Sequence, residues 1–347
     1  MIDKTFAASS FLAFRFIANN EVNFSEGVKR APIMNPPEVE KILVKTADDI
    51  DVAMATSIDN LKGKKLGCLL SGGMDSAICA SYMTGCDAYT FRFLGGQFQA
   101  DELKRAETFA DYYKLNLHYV DISWETVEAH LDAVMKTKGA PVHSIEPQLM
   151  QAALQAKADG IEILIFGDGA DYAFYGMDGL LSRDWSFEDY VLRSSYIMPE
   201  DVLINPVDIR CIYEPYRING DKIDFLKFYD EIVTWESYAS YNNAFATAEI
   251  EAFDPYEQLK MAEKVDLERI RRGESKYLIR ELFKKRYPTL PLPEKNPMPR
   301  PVDAYFANWE GPKHPIFKSN IDMSKYSGNQ KWLMWCLERY LNNIDKQ

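Results

Sequence analysis

The chain has 347 residues, 47% of them apolar and 13% aromatic, enough to fill a sizeable core in one large domain or two ordinary ones. Its 52 acidic residues against 40 basic ones leave a net charge of −12, a field that repels DNA and RNA unless a local basic patch overrides it, so nucleic acid is not the expected partner. No stretch reaches the roughly 18 apolar residues of a membrane helix, which points away from the membrane and toward the cytoplasm.

In chain order, the opening "MIDKTFAASSFLAFRFIANN" holds one short apolar run broken by Arg15 and no cleavage pattern of small residues. Residues 1–60 otherwise mix aromatics, a turn at "APIMNPPE" (31–38) and a helix-like run, "PEVEKILVKTADDIDVAMATSIDNL"; they read as a lead-in lobe of strands and a helix. From Lys64 the pattern alternates. "LGCLL" is a buried strand, "DSAICASYM" a helix, "CDAYTFRFL" a strand, "ADELKRAETFADYYKL" a helix, "NLHYVDIS" a strand, "PQLMQAALQAKADG" a helix and "IEILIFG" a strand. Strands alternating with helices of that length imply a parallel sheet covered on both faces, so residues 61–180 are expected to form a doubly wound α/β core. Residues 181–347 read as mostly helical, with "DKIDFLKFYDEIVTWESYASYNNAFATAEI" and "ESKYLIRELFKKRY" as the strongest segments. The run "PTLPLPEKNPMPRPVD" (288–303) lacks the backbone donors of a helix or central strand and is expected to be a loop. Cys68, Cys79, Cys86, Cys211 and Cys336 form no CxxC and read as reduced core thiols, not as a disulfide framework or zinc site.

The junction "LLSGGMDS" (69–76) carries the first chemical signal. In an open parallel sheet, ligands bind beyond the carboxyl ends of the strands, which is where this segment falls. Gly72 and Gly73 let backbone N–H groups approach an anion, Ser71 and Ser76 add hydroxyls, and the following helix presents its positive end. Asp75 would repel a bare phosphate in that cradle. A bridging Mg²⁺ resolves the conflict, so a metal-bound pyrophosphate is the expected occupant.

"SGGMDS" resembles the SGGxDS loop of the N-type ATP pyrophosphatases, among them asparagine synthetases, β-lactam synthetase, GMP and NAD synthetases, and tRNA-modifying ligases and thiolases. It is not a Walker A loop, because no Lys-Ser/Thr follows the glycines. A second segment, "ILIFGDGADYAFYGM" (163–177), is similar to the SGEGADELFGGY stretch of the asparagine synthetase synthetase domain. The resemblance implies cleavage of ATP between its α and β phosphates and adenylation of a substrate oxygen. It implies ATP contacts from Leu70, Ser71, Gly72, Gly73, Asp75, Ser76 and Gly167, with Arg92 near the adenosine. Asp75 and Asp171 would share Mg²⁺, and Asp168 would be a catalytic acid facing the substrate. Asp168 stands where asparagine synthetases carry Glu, and Tyr172 where they carry the Glu of "DE", which points to an acceptor other than aspartate. A third segment, running from "EIEAFDPYEQ" to "LPLPEKNPMPRP", resembles the family's later motifs. There Lys276 and Arg280, four apart on one helix face, would meet phosphates. Lys295, in the proline-rich loop, would stabilise charge on the adenylate and tetrahedral intermediate, and Lys276 and Lys295 complete the catalytic set.

Glutamine-dependent members begin with a glutaminase domain whose terminal nucleophile is cysteine. Here residue 2 is Ile2 and the first cysteine is Cys68, so no glutaminase domain is expected within residues 1–60. Nitrogen would come from ammonia, a substrate amine or a separate protein. His143 and Glu146 fall in "APVHSIEPQ", where the family's acceptor pocket lies, and Tyr172, Phe174, Tyr175 and Trp185 are candidates to wall it. The reading is an ATP-dependent ligase acting on a small molecule. Sulfur transfer, with Cys79, Cys86 or Cys211 as carrier, and a non-catalytic nucleotide-binding protein are the alternatives.

Overall fold

Five short apolar runs form the central sheet of the computed structural model, which describes residues 1–28, 30, 40–94, 99–294 and 300–346. They are β1 (Leu66–Leu69), β2 (Asp87–Phe93), β3 (Asn116–Ile122), β4 (Ile163–Ile165) and β5 (Glu251–Phe253). Their order is β3-β2-β1-β4-β5, and every neighbouring pair is parallel. Successive side chains of a strand point to opposite faces. Leu69, Leu164 and Phe166 accordingly enter one core, and Cys68, Leu70, Ile163 and Ile165 the other.

Helices Trp124–Lys138, Glu146–Ala158, Thr234–Ala248 and Gly328–Ile344 cover the first face. Helices Ala47–Asp59, Met74–Ala80, Ala100–Tyr113 and Tyr277–Arg286 cover the second. Each fully buried Leu or Ile in these layers is worth about 1.5–3 kcal/mol relative to exposure. This is the doubly wound α/β arrangement read from the alternation. A third cluster, with Phe14, Trp185, Phe187, Tyr190, Tyr213 and Phe228, packs the lobe beside the sheet.

Three elements depart from the sequence reading. The opening stretch is a helix, Lys4–Phe14, buried from Ala7 onward. The helix-like run after residue 37 is split, because Thr46 and Asp49 form a capping box that starts the helix at Ala47. The preceding Ile42–Val44 is a strand paired in parallel with Leu259–Met261; residues 31–39, with the expected turn, lie outside those described. Finally, β5 is contributed by the helical half of the chain. Apart from β5, Leu259–Met261 and a short antiparallel pair, Arg217–Ile218 with Lys222–Ile223, that half is mostly helical: Phe225–Phe228 runs through a π turn, Tyr229–Val233, into Thr234–Ala248.

Among the described residues no helix is long and apolar enough to cross a membrane. All five cysteines are unbridged; Cys68, Cys79 and Cys336 are buried as expected, whereas Cys211 is exposed. From β1 the chain proceeds to β2 on one side, while β4 pairs on the other. The connections therefore diverge at the carboxyl ends of β1 and β4, and a crevice opens there.

Candidate active site

A cavity of about 220 Å³ occupies that crevice, lined by residues 69–76 after β1, by Phe166, Gly167, Asp168 and Asp171 after β4, and by Lys276 and Arg280. The first loop is held by its own hydroxyls. Ser71 N–H donates to Ser76 Oγ (3.0 Å), the two hydroxyl oxygens lie 2.9 Å apart, and Gly73 N–H donates to Ser71 Oγ (3.1 Å). Arg105 Nε donates to the Gly72 carbonyl at 2.9 Å. A Cβ at Gly72 would lie 2.6 Å from the carbonyl oxygen of Glu102, so only glycine lets this loop pass under the helix Ala100–Tyr113. Leu70 is buried and its N–H donates to the Tyr89 carbonyl, fixing the end of β1 against β2.

The second loop, 167–177, is held from β5. Asp254, just past that strand, accepts from Gly169 N–H at 2.6 Å and from Tyr256 N–H at 2.9 Å, and burial pushes its carboxyl well above the ordinary carboxylate range. The Tyr256 hydroxyl donates to the Asp75 carbonyl (3.0 Å), which ties the two loops together. From the π turn, Tyr229 donates to the Asp171 carbonyl; π turns of this kind are enriched at functional sites. A Cβ at Gly176 would overlap Asp171 Oδ1, so that glycine keeps the carboxylate in place.

Asp75 and Asp171 meet on one cation. Lys276 Nζ lies 2.5 Å from Asp75 Oδ2 and 2.7 Å from Asp171 Oδ1, with its side chain 3% exposed against 22% and 31% for the two acids. Burial works against the ammonium charge, but Asp171 and Asp75 outweigh it and hold Lys276 above the ordinary lysine range. Lys276 does not sit on a helix face as its four-residue spacing from Arg280 suggests. It is the N-cap of Tyr277–Arg286 in a left-handed conformation, φ 51°, which aims its side chain back at the loops. Arg280 lines the same cavity, with Nε donating to the Ser275 carbonyl at 3.1 Å. The two acids fit a divalent ion: they are already drawn to one cation, and Mg²⁺ held by one or two carboxylates plus phosphate oxygens needs no third protein ligand. Among the described residues no group of three or more His, Cys, Asp or Glu side chains makes a metal site by itself.

Asp168 is the most strongly perturbed acid of the cavity. Its Oδ2 is buried without a hydrogen-bond partner among the described residues. Burial pushes its carboxyl up to about 8 against a hydrogen bond from Ser237, with Asp171, Glu236 and Asp75 adding to the rise. The folded state thus keeps a proton that an unfolded Asp loses near pH 4. Stability from this group is present at the acid end of that window and declines as pH rises toward 8. Asp168→Asn is expected to flatten this decline, measured by denaturant titrations from pH 5 to 8 beside the wild type. Parallel profiles would mean that the carboxyl is ionised throughout.

Other residues singled out in the sequence fall elsewhere. Arg92 is exposed and absent from the cavity lining: Nε and Nη2 bond Asp121 at 2.6 and 2.9 Å, and the guanidinium lies over the Tyr119 ring. The cross-strand acid facing it in β3 claims its charge. Lys295 lies outside the described residues. Glu146 is fully buried, paired with Lys138 Nζ at 2.5 Å and Asn243 Nδ2 at 2.6 Å, and so serves packing. Tyr172 and Phe174 are buried and Trp185 packs in the third cluster. Sequence reasoning passed over Glu102, Arg105, Tyr241 and Ser275, which line the cavity. Only the offset of Arg105 from Glu102 on one helix hinted that the two face a common neighbour.

Residues 54–221 match the asparagine synthase family model. No curated protein sequence matches the chain. Among solved structures, the U34-tRNA thiolase NcsA from Methanococcus maripaludis, with its 4Fe-4S cluster, aligns over 71% of this chain and 80% of its own at 14% identity and a TM-score of 0.29. NMN synthetase from Francisella tularensis aligns over 63% and 97% at 14% identity and 0.27. A predicted subunit of a tRNA methyltransferase from Methanocaldococcus jannaschii aligns over 64% and 86% at 15% identity and 0.25. Both loops of the cavity, SGGMDS and GDGAD, fall inside residues 54–221, the stretch that matches the asparagine synthase family model.

Proposed function

We propose that the chain is an ATP-dependent ligase that adenylates a carboxylate or amide oxygen of a small molecule, releases pyrophosphate, and lets ammonia or an amine displace AMP. The observation that carries this reading is the meeting of Asp75, Asp171 and Lys276 in one cavity between the two loops that fall inside the asparagine synthase match. The cavity also has an apolar side, with Tyr89, Phe91, Phe93, Leu292 and Pro293, suited to a nucleobase.

The acceptor oxygen attacks the α-phosphorus, and the bond from that phosphorus to the oxygen shared with the β-phosphate breaks. Pyrophosphate leaves with the electron pair. Lys276 holds a positive charge beside the loops where that anion develops, a placement worth several kcal/mol in a water-poor site. Mg²⁺, held by Asp75 and Asp171 together with phosphate oxygens, would supply further neutralisation of pyrophosphate. Asp168, protonated at neutral pH, offers a hydrogen bond to an acceptor oxygen without adding negative charge. In the second half, the amine nitrogen attacks the activated carbon and loses a proton, and the bond from that carbon to the AMP oxygen breaks. The nitrogen donor is ammonia, an amine, or the product of a separate protein.

Sulfur as the incoming atom is the second reading, and the lining bears on its source. No cysteine is among the described residues of the cavity wall. The Cys79 thiol is buried, donates to the Phe166 carbonyl at 3.7 Å, and is pushed far up by burial. Burial raises Cys86 and Cys211 as well, so none is poised as a thiolate. Cys79→Ser, Cys86→Ser and Cys211→Ser are each expected to leave turnover unchanged; a lost AMP signal in one of them would move the reading to sulfur carried on the chain.

The experiment follows AMP and pyrophosphate from Mg·ATP while small carboxylates, amides and nucleobases are offered with ammonium or sulfide. Release that depends on one acceptor names the substrate class. Release with none of them, while ATP binds, would reduce the reading to nucleotide binding.

A further inference from the structure

A second polar cluster adjoins Asp168, and the adenylation chemistry does not use it. Glu236 and Tyr241, both within electrostatic reach of Asp168, lead to it. Arg15 closes the helix Lys4–Phe14 in a left-handed conformation. Its Nη1 lies 2.8 Å from His143 Nε2 and 3.0 Å from Glu236 Oε1, and its guanidinium carbon is 3.5 Å from the centre of the Tyr196 ring. Arg300, from the far end of the chain, brings Nη1 to 3.1 Å from the same imidazole nitrogen and 3.4 Å from Ser144 Oγ.

The hydrogen-bond arithmetic at that imidazole does not close. Ile145 N–H donates to His143 Nδ1 at 3.0 Å, so in the neutral ring the proton sits on Nε2. Burial, with Arg15, Arg300 and Lys138 nearby, keeps His143 neutral by pulling it well below the ordinary histidine range. Nε2 then has no lone pair for either guanidinium. Glu236 is the carboxylate that Arg15 holds, and Arg300 is left with Ser144 Oγ as its acceptor among the described residues. Burial and the neighbouring Arg15 bring Arg300 down to about 10, as expected of a guanidinium short of counter-charge. Two largely buried guanidiniums converge on one neutral imidazole, with the Glu236 carboxylate held by Arg15, which leaves a surplus of one positive charge and several donors.

We propose that Arg300 and Arg15 bind an oxyanion of the acceptor, a carboxylate or phosphate group other than the oxygen that is adenylated. The inference rests on the ligase reading only for the word acceptor. A planar fork pairs with either anion through two parallel hydrogen bonds, which supplies both the charge and the acceptor atoms missing here. The substrate class is thereby narrowed to molecules carrying an anionic group besides the reacting one, such as dicarboxylates or phosphorylated carboxylates. Neutral nucleobases and simple monocarboxylates fit less well.

The test titrates the full chain with succinate, glutarate and inorganic phosphate by calorimetry, with α,β-methylene-ATP present to fill the phosphate loop. At least one anion is expected to bind the wild type, and Arg300→Gln and Arg15→Gln each to weaken it by about tenfold or more. The preferred anion tells carboxylate from phosphate. Arg300→Lys, which keeps the charge and loses the fork, is expected to fall between. Absence of binding by all three anions to the wild type overturns the proposal, as does unchanged affinity in a folded Arg300→Gln. If that variant does not fold, unchanged affinity in Arg300→Lys decides against it. In the wild type, anion binding with no release of pyrophosphate from Mg·ATP counts against the ligase reading alone.

Discussion

Lys276→Met is expected to abolish pyrophosphate release and to destabilise the fold by about 3 kcal/mol. Removing one partner of a buried ion pair costs roughly 3–5 kcal/mol, because the other charge stays behind without compensation. The lower end applies here, since Asp75 and Asp171 keep 22% and 31% side-chain exposure and some of their field is screened by water. Two carboxylates drawn together without their cation repel each other, so lowering the pH or adding Mg²⁺ should each recover part of the loss. The measurement is a denaturant titration with and without Mg²⁺. A larger Mg²⁺ response in the variant than in the wild type is expected, because in the wild type Lys276 already supplies the cation. Wild-type stability in Lys276→Met, with no added response to Mg²⁺, would show that the two acids are not coupled through this lysine.

Asp75→Asn is expected to lower AMP and pyrophosphate formation by on the order of 10²–10³-fold, the range seen when one preorganised electrostatic contact to a developing charge is removed. The side chain keeps its size and its place in the first turn of Met74–Ala80. Its carbonyl still accepts from Tyr256, and Lys276 retains Asp171, so the melting transition should move less than in Lys276→Met. ATP binding measured directly separates the two ways the variant loses turnover. Retained binding with lost turnover assigns Asp75 to the chemical step. Turnover at the wild-type rate would reduce it to an ordinary acidic residue at the start of a helix, favourable there for the helix dipole alone.

The positions of these residues depend on the segment after β5 as well as on the loops themselves. Gly169 N–H is held by Asp254 and the Asp75 carbonyl by Tyr256, and both partners follow β5 directly. The two loops are thus fixed by a third segment 80 or more residues away in the chain, consistent with an active site built on strand ends and braced from outside the loops.

Much of this architecture is local and could be read from residues in order. Strands β1 to β4 are apolar runs between glycines and helices of ordinary length, and period-2 burial on two faces follows from that pattern. The loop SGGMDS and the segment GDGAD lie beyond strand ends because the connection rules for parallel sheets leave them no other place. The helix Trp124–Lys138 was legible too, in Val127, Leu131, Val134 and Met135, although the reading passed over it.

What escaped is non-local. Glu251–Phe253 is too short to carry a pattern, and only pairing with β4 makes it a strand. Arg92 looks like a free cation in "YTFRFL" until the β2–β3 register sets it opposite Asp121. Lys276 reads as a helix-face residue; the pull of two acids about 100 and 200 residues earlier accompanies the left-handed conformation it adopts as N-cap. Arg15, His143, Glu236 and Arg300 share no sequence neighbourhood at all. Composition and periodicity constrain residues a few positions apart, whereas charge pairing across the fold is decided only once the core has brought distant segments into contact.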